Sequence, residues 1–112
     1  MEHEKIKDTL KTMKKIMLCC NAGMSTSLLV QKMQAEVANR GLDIEIEARP
    51  MNEAHDHLDE CDILLLGPQI GYTKGDFEKE AAGRFPVEVI NMVDYGRMNA
   101  AGIIDHCVSV MG

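Results

Sequence analysis

The sequence predicts an α/β domain, an open four-stranded parallel sheet of order 2-1-3-4 with helices on both faces. Three observations carry this. Four short segments with strand character alternate along the chain with segments of helical spacing, the pattern that builds parallel sheets through helical crossovers. Two of the four, at Ile16–Cys19 and Asp62–Leu66, are apolar on both sides, as strands covered on both faces must be. The other two are polar on one side: Asp43–Arg49 alternates residue by residue, and Val87–Ile90 contains Glu88. Strands one and three therefore take the middle, and the chain winds in opposite directions away from the first strand. Beyond the carboxyl ends of those two strands lies a topological switch point, where open α/β sheets bind ligands.

Taken in order, residues 1–14 form a charged extension in which Ile6, Leu10 and Met13 fall at helical spacing. A frayed segment or a short helix is expected there, because so few residues make a marginal helix alone. The remainder, 15–112, reads as one domain. Ile16, Met17, Leu18 and Cys19 form the first strand, with Cys20 at its carboxyl end. A loop of small and polar residues, Asn21 to Ser27, leads into a helix from about Ser25 to Arg40 with Leu29, Met33 and Val37 on its apolar face. Gly41 supplies the helix stop.

The second strand ends at Pro50, and Asn52 is placed to cap a short helix through about Leu58. After the third strand, Gly67-Pro68-Gln69 breaks the apolar run. A loop with Gly71, Tyr72 and Gly75 then precedes a helix near Asp76–Ala82. The fourth strand follows Pro86. A last helix is expected from Asp94 or Tyr95 to Val110, with Gly96 and Gly102 weakening its first half.

Composition limits the function. The 112 residues are 46% hydrophobic and 27% charged, ordinary for a soluble globular domain. The longest apolar runs are too short to span a bilayer, and the charged N-terminus lacks the apolar core of a secretory signal, so a cytoplasmic location and no membrane insertion are expected. A formal net charge of −6 argues against nucleic acid as a partner. Cys19, Cys20, Cys61 and Cys107 show no C-x-x-C pair and no histidine at zinc-ligand spacing, so reduced thiols and no metal are expected. His55 and His57, two apart on a helix, do not share a face and make a poor metal pair. Glu53, Asp56, Asp59, Glu60 and Asp62 read as a solvated acidic surface.

The chemistry centres on Cys20. A strand, a short loop and a helix aim several backbone N–H groups and the positive end of the helix at one point. With a thiol there, the natural cargo is an anion, phosphate above all. Amides around the sulfur favour the thiolate, whose ordinary pKa of about 8.5 leaves it mostly protonated at neutral pH. The same amides would then hold the oxygens of a phosphoryl group on sulfur. Gly23 permits close backbone approach, and Ser25, Thr26 and Ser27 add hydroxyl donors. Cys19 points to the opposite sheet face, where core packing is its role, while Cys61 and Cys107 read as structural. Gln69 and Tyr72, after the third strand, are candidates for the phosphate rim or for a partner contact. Met24, with Leu28 nearby, offers an apolar docking spot.

Cys20, five residues, then Thr26-Ser27 invites comparison with low-molecular-weight tyrosine phosphatases, which carry an arginine at the position of Thr26. No arginine stands in this loop, and no Asp beside it is evident as an acid for the leaving group. A cradle without these groups holds a phosphocysteine while activating water poorly, which suits a carrier over a hydrolase. The phosphatase-like hydrolase is the alternative reading. A redox module built on the Cys19-Cys20 pair ranks last, since vicinal cysteines in a strand form a strained ring.

Three segments, CNAGMSTSLLVQKM (Cys20–Met33), LLLGPQIGY (Leu64–Tyr72) and PVEVINMVDYGRMNAAGII (Pro86–Ile104), carry a resemblance at matching order and spacing. The chain resembles the IIB components of the sugar phosphotransferase system (PTS), lactose/cellobiose (chitobiose) class, from about Lys15 to Met111. The resemblance implies a phosphoryl carrier that takes phosphate from a phosphohistidine of IIA. It passes that group, through a phosphocysteine, to a β-linked disaccharide held by membrane IIC. Matched onto this chain, Cys20 is the phosphorylated residue and Asn21, Ala22, Gly23, Met24, Ser25, Thr26 and Ser27 form the phosphate loop. No cofactor is implied at the transfer step, and the isolated chain is expected to be a monomer.

Overall fold

The computed structural model describes residues 14–20 and 23–111, with side chains in the second stretch from Ser27 onward. The first strand, β1 (Lys14–Cys20), leads to helix α1 (Gly23–Asn39) and strand β2 (Ile44–Pro50). A short helix α2 (Met51–Ala54) tightens into a 3-10 segment, His55–Glu60, before β3 (Ile63–Leu66). A second 3-10 segment, Pro68–Thr73, runs into α3 (Lys74–Ala81), followed by β4 (Val87–Val89), α4 (Met92–Gly96) and α5 (Ala100–Met111). The strands are all parallel in the order β2-β1-β3-β4, as the patterning predicts.

Burial follows the same logic. β3 is buried throughout and β1 from Ile16 onward, while β2 is in and out of water along its length. Alternation along the strands divides the interior in two. On one face Ile16, Leu18, Ile63 and Leu65 pack with Leu29, Met33 and Val37 of α1 and Ile103, Ile104 and Cys107 of α5. On the other, Met17, Cys19, Leu64 and Leu66 pack with Ala54, Leu58, Ile70, Phe77 and Ala81. The sheet is thus clamped between two helical layers, and its central strands have no free face.

Several boundaries differ from those the sequence suggests. Helix α1 begins at Gly23, two residues before Ser25, so the expected loop residues Gly23 to Ser27 already lie in its first turns. Asn52 is not a cap. The cap position belongs to Pro50, the last residue of β2, and no side chain caps this helix. A proline at that junction lacks the N–H that would need a partner, so the strand passes directly into the helix. The segment beyond Gly67 is a 3-10 helix rather than a loop, with Gly71 and Tyr72 inside it, and α3 starts at Lys74. The expected terminal helix is two helices: Asn91 Oδ1 accepts from the N–H groups of Val93 and Asp94, starting α4 early. Met98, in the left-handed region at φ +52°, then breaks the run. Asn99 restarts it by accepting from the Gly102 N–H at 3.2 Å. The expected helix through Ile6, Leu10 and Met13 lies outside the described residues.

Candidate functional site

Cys20 is the last residue of β1, opposite Pro50 of β2. It shares side-chain parity with Ile16 and Leu18 and so faces the α1 layer, whereas Cys19 points into the opposite core and is fully buried. Cys20 itself is 4% exposed. The helix α1 begins three residues further on, with a run of 17 residues whose first N–H groups have no partner within the helix. Its positive end stands next to the thiol-bearing strand end. Asn21 and Ala22 lie outside the described residues. Ser27 is exposed, as is Leu28, at 45%, one position further along.

The neighbouring strand completes the corner. The Gly67 N–H donates to the Cys19 carbonyl at 3.0 Å, which ties the end of β3 to the end of β1. A side chain at position 67 would occupy contested space: its Cβ would stand 3.0 Å from Gln69 Oε1 and 3.7 Å from Cys20 Cβ. Glycine here keeps a gap between the Gln69 amide and the cysteine. The turn that carries Gln69 is fixed at both sides, because the Ile70 N–H donates to the Gly67 carbonyl at 3.0 Å and the Ile70 side chain is buried. Thr73 Oγ1 donates in turn to the Ile70 carbonyl at 2.6 Å.

Gln69 and Tyr72, both anticipated after the third strand, separate here. Gln69 turns its amide oxygen to the space beside Gly67 that Cys20 also borders, and Tyr72 stands in solvent at 80% exposure. Gly71 packs on Val89, so Tyr72 adjoins the end of β4. Met92 and Val93 also reach solvent there. Sequence reading passed over both, although an Asn cap followed at once by two apolar residues places them at a helix start, where side chains have little protein behind them.

All four thiols are buried, and the other three are separate from this corner in chemistry. Burial, with a small contribution from the neighbouring Cys20, pushes the Cys19 thiol up to about 12. Burial raises Cys107 to about 12 and Cys61 to about 11. Cys61 further donates its thiol to the Leu58 carbonyl at 3.4 Å. No disulfide joins Cys19, Cys61 or Cys107 to another of the described residues. Among the described residues, no group of three His, Cys, Asp or Glu side chains is arranged to hold a metal ion. Among them, too, no helix is long and apolar enough to cross a membrane.

Residues 15–106 match the family described as PTS system, lactose/cellobiose-specific IIB subunit. The chain belongs to this IIB family. Its relatives include the oligo-β-mannoside-specific EIIB component of Bacillus subtilis, 39% identical over 100 residues, covering 88% of this chain and 97% of the relative. The cellobiose-specific EIIB component of Lactococcus lactis subsp. lactis is 43% identical over 105 residues, covering 88% and 96%. The solution structure of the cellobiose-specific phosphotransferase IIB component from Borrelia burgdorferi superposes with a TM-score of 0.72 at 32% identity, covering 88% of this chain and 91% of that one. The lactose-specific IIB domain of Streptococcus pneumoniae gives a TM-score of 0.78 at 11% identity, covering 87% and 96%, and shares the fold. The IIB family membership makes this chain a sugar phosphotransferase component.

Proposed function

We propose that this IIB protein carries the phosphoryl group on Cys20. The group comes from a phosphohistidine of IIA and goes to a β-linked disaccharide such as cellobiose, chitobiose or lactose on the membrane component IIC. The observation that carries this reading is the place of one thiol: the carboxyl end of a central strand, at the switch point of the sheet, beside the N-terminus of α1. Of the other cysteines, Cys107 lies in one core and Cys19 and Cys61 in the other.

The chemistry is an in-line displacement at phosphorus. The Cys20 thiolate attacks, an S–P bond forms, and the P–N bond to the donor imidazole breaks with its electron pair going to nitrogen. In the second transfer a sugar hydroxyl oxygen attacks, the S–P bond breaks, and the thiolate is regenerated as the hydroxyl proton leaves. Main-chain N–H groups of residues 21–27 supply donors to the phosphoryl oxygens, helped by the α1 dipole. The low exposure of Cys20 restricts water at the S–P bond, which favours survival of the intermediate between partners. The loop has Thr26 where the related phosphatase loop has arginine, so the loop itself supplies no cation to drive hydrolysis.

The test is transfer of labelled phosphate from phosphorylated IIA to the parent protein, Cys20→Ser and Cys19→Ser. Labelling is expected to vanish in the first variant and to persist in the second. Equal labelling of all three would refute the assignment. The protein is proposed to be cytoplasmic and to act as a monomer between its two partners.

A further inference from the structure

Two residues after the glycine that closes the switch-point corner, an exposed carboxamide borders the same small space as a buried thiol-bearing residue. The Gln69 oxygen and the Cys20 Cβ both border the same small space, at 3.0 and 3.7 Å from where a Gly67 side chain would begin. Of the atoms nearest a Cβ placed there, only the far end of the Gln69 side chain, at 3.0 Å, would be crowded. Gly67 has an ordinary extended backbone, φ −61° and ψ 149°, which any residue adopts. A glycine at this position is therefore not explained by conformation. What it does is leave the amide and the thiol without a side chain between them.

The backbone that delivers the amide is firmly placed. It sits in a turn clamped by the Gly67-to-Cys19 and Ile70-to-Gly67 hydrogen bonds, started by Pro68 and anchored by the buried Ile70. We propose that Gln69 is a phosphoryl-contacting residue, whose carboxamide donates a hydrogen bond to an oxygen of the group on Cys20, with Gly67 as the spacer that admits it. This rests on Cys20 being the carrier. A half-turn about the last side-chain torsion exchanges the amide's oxygen and NH2 ends, so the donor reaches the position the oxygen holds in the unphosphorylated protein. The donor would approach from the β3 side, while the α1 amides approach from the other.

The choice of an amide is chemically apt. It binds a dianion without carrying a proton that it can give to a leaving group, and without a basic site that takes one from water. A carboxylate in its place would repel the phosphoryl group, and an alanine would remove a hydrogen bond to a charged acceptor.

The experiment compares the parent, Cys20→Ser, Gln69→Ala, Gln69→Glu and Gly67→Ala. Each is incubated with phosphorylated IIA, and three quantities are read: label at equilibrium, its rate of loss to water once the donor is removed, and the 31P chemical shift of the phosphocysteine. Gln69→Ala is expected to lower the equilibrium label or shorten its lifetime by roughly tenfold, and to move the 31P signal. Gln69→Glu is expected to do more, and Gly67→Ala, whose new methyl displaces the amide, to behave like Gln69→Ala. Thermal unfolding of the Gln69 variants is expected to match the parent, since the side chain is exposed. Unchanged label, lifetime and 31P shift in the Gln69 variants, with Cys20→Ser unlabelled, would overturn the Gln69 proposal and leave the carrier in place. Full labelling of Cys20→Ser would instead remove the carrier reading and this proposal together.

Discussion

Two adjacent cysteines meet different surroundings because a strand turns successive side chains to opposite faces. Cys19 is inside the core at full burial; Cys20 ends the strand beside Gly67. At pH 8 iodoacetamide is expected to modify Cys20 ahead of the fully buried Cys19 and Cys107, as peptide mapping by mass spectrometry will show. The three buried thiols also set an alkaline limit on stability. Their folded values lie above the unfolded one, so the stabilisation they represent is whole below the ordinary thiol range near 9. It is lost as pH rises toward about 11 for Cys61 and about 12 for Cys19 and Cys107. Between those limits each such thiol removes up to about 1.4 kcal/mol per pH unit. Urea unfolding of Cys107→Ala is accordingly expected to fall less steeply than the parent between pH 9 and 10.5, from a lower starting stability. An equal slope would show that the Cys107 thiol takes no part.

At the level of elements, helix ends decide where the chain departs from its sequence pattern. Ala82 closes α3 in the left-handed region at φ +52° and is exposed, a conformation that costs an L-residue about 1–2 kcal/mol. Ala82→Gly is therefore expected to stabilise the protein by roughly 0.5–1 kcal/mol, read as a higher urea midpoint with an unchanged slope. Asn91 does the opposite work at the start of α4, holding two N–H groups at 2.8 and 3.2 Å. Asn91→Ala is expected to cost about 1 kcal/mol. The restart of α5 couples to a glycine: a Cβ on Gly102 would meet Asn99 Nδ2 at 2.5 Å, so the capping Asn99 fits only because residue 102 has no side chain. Gly96, by contrast, meets nothing within 4 Å. From sequence both glycines look alike, as helix weakeners; only the fold separates them.

Across the whole molecule, stability rests on one sheet packed on both sides. Leu64 and Leu18 are fully buried in opposite cores, so Leu64→Ala and Leu18→Ala are each expected to destabilise by about 2–5 kcal/mol, measured by chemical denaturation. Because the cores meet only through the sheet, the two losses should add closely in the double variant; a large departure would mean that strain crosses the strands. The surface ion pairs contribute less. Arg40 reaches Glu36 on its own helix and Asp105 on α5, each at 2.6 Å, yet it is solvated, and Arg40→Ala is expected to leave the urea midpoint nearly unchanged. Edge strand β2 carries Glu45, Glu47 and Arg49, with Lys15 pairing to Glu47 at 3.0 Å, and these charges protect a seven-residue edge from pairing with another chain.

Sheet order and strand burial were legible in the sequence, because hydrophobic periodicity reports directly which faces lose water. Ile16–Cys19 and Ile63–Leu66 could only be central, and Asp43–Arg49 only an edge, so the switch point followed and Cys20 fell on it. Helix boundaries were less legible: Asn52 and Asn91 are the same residue type, and each caps or fails to cap according to the backbone that delivers it. Gln69 was legible beside Cys20 only as one of two rim candidates after the third strand, and the space that Gly67 leaves between Gln69 and Cys20 was not. Those residues are 49 positions apart, and what joins them is a hydrogen bond between strand ends and a missing methyl group at Gly67, quantities that exist only once β1 and β3 lie side by side.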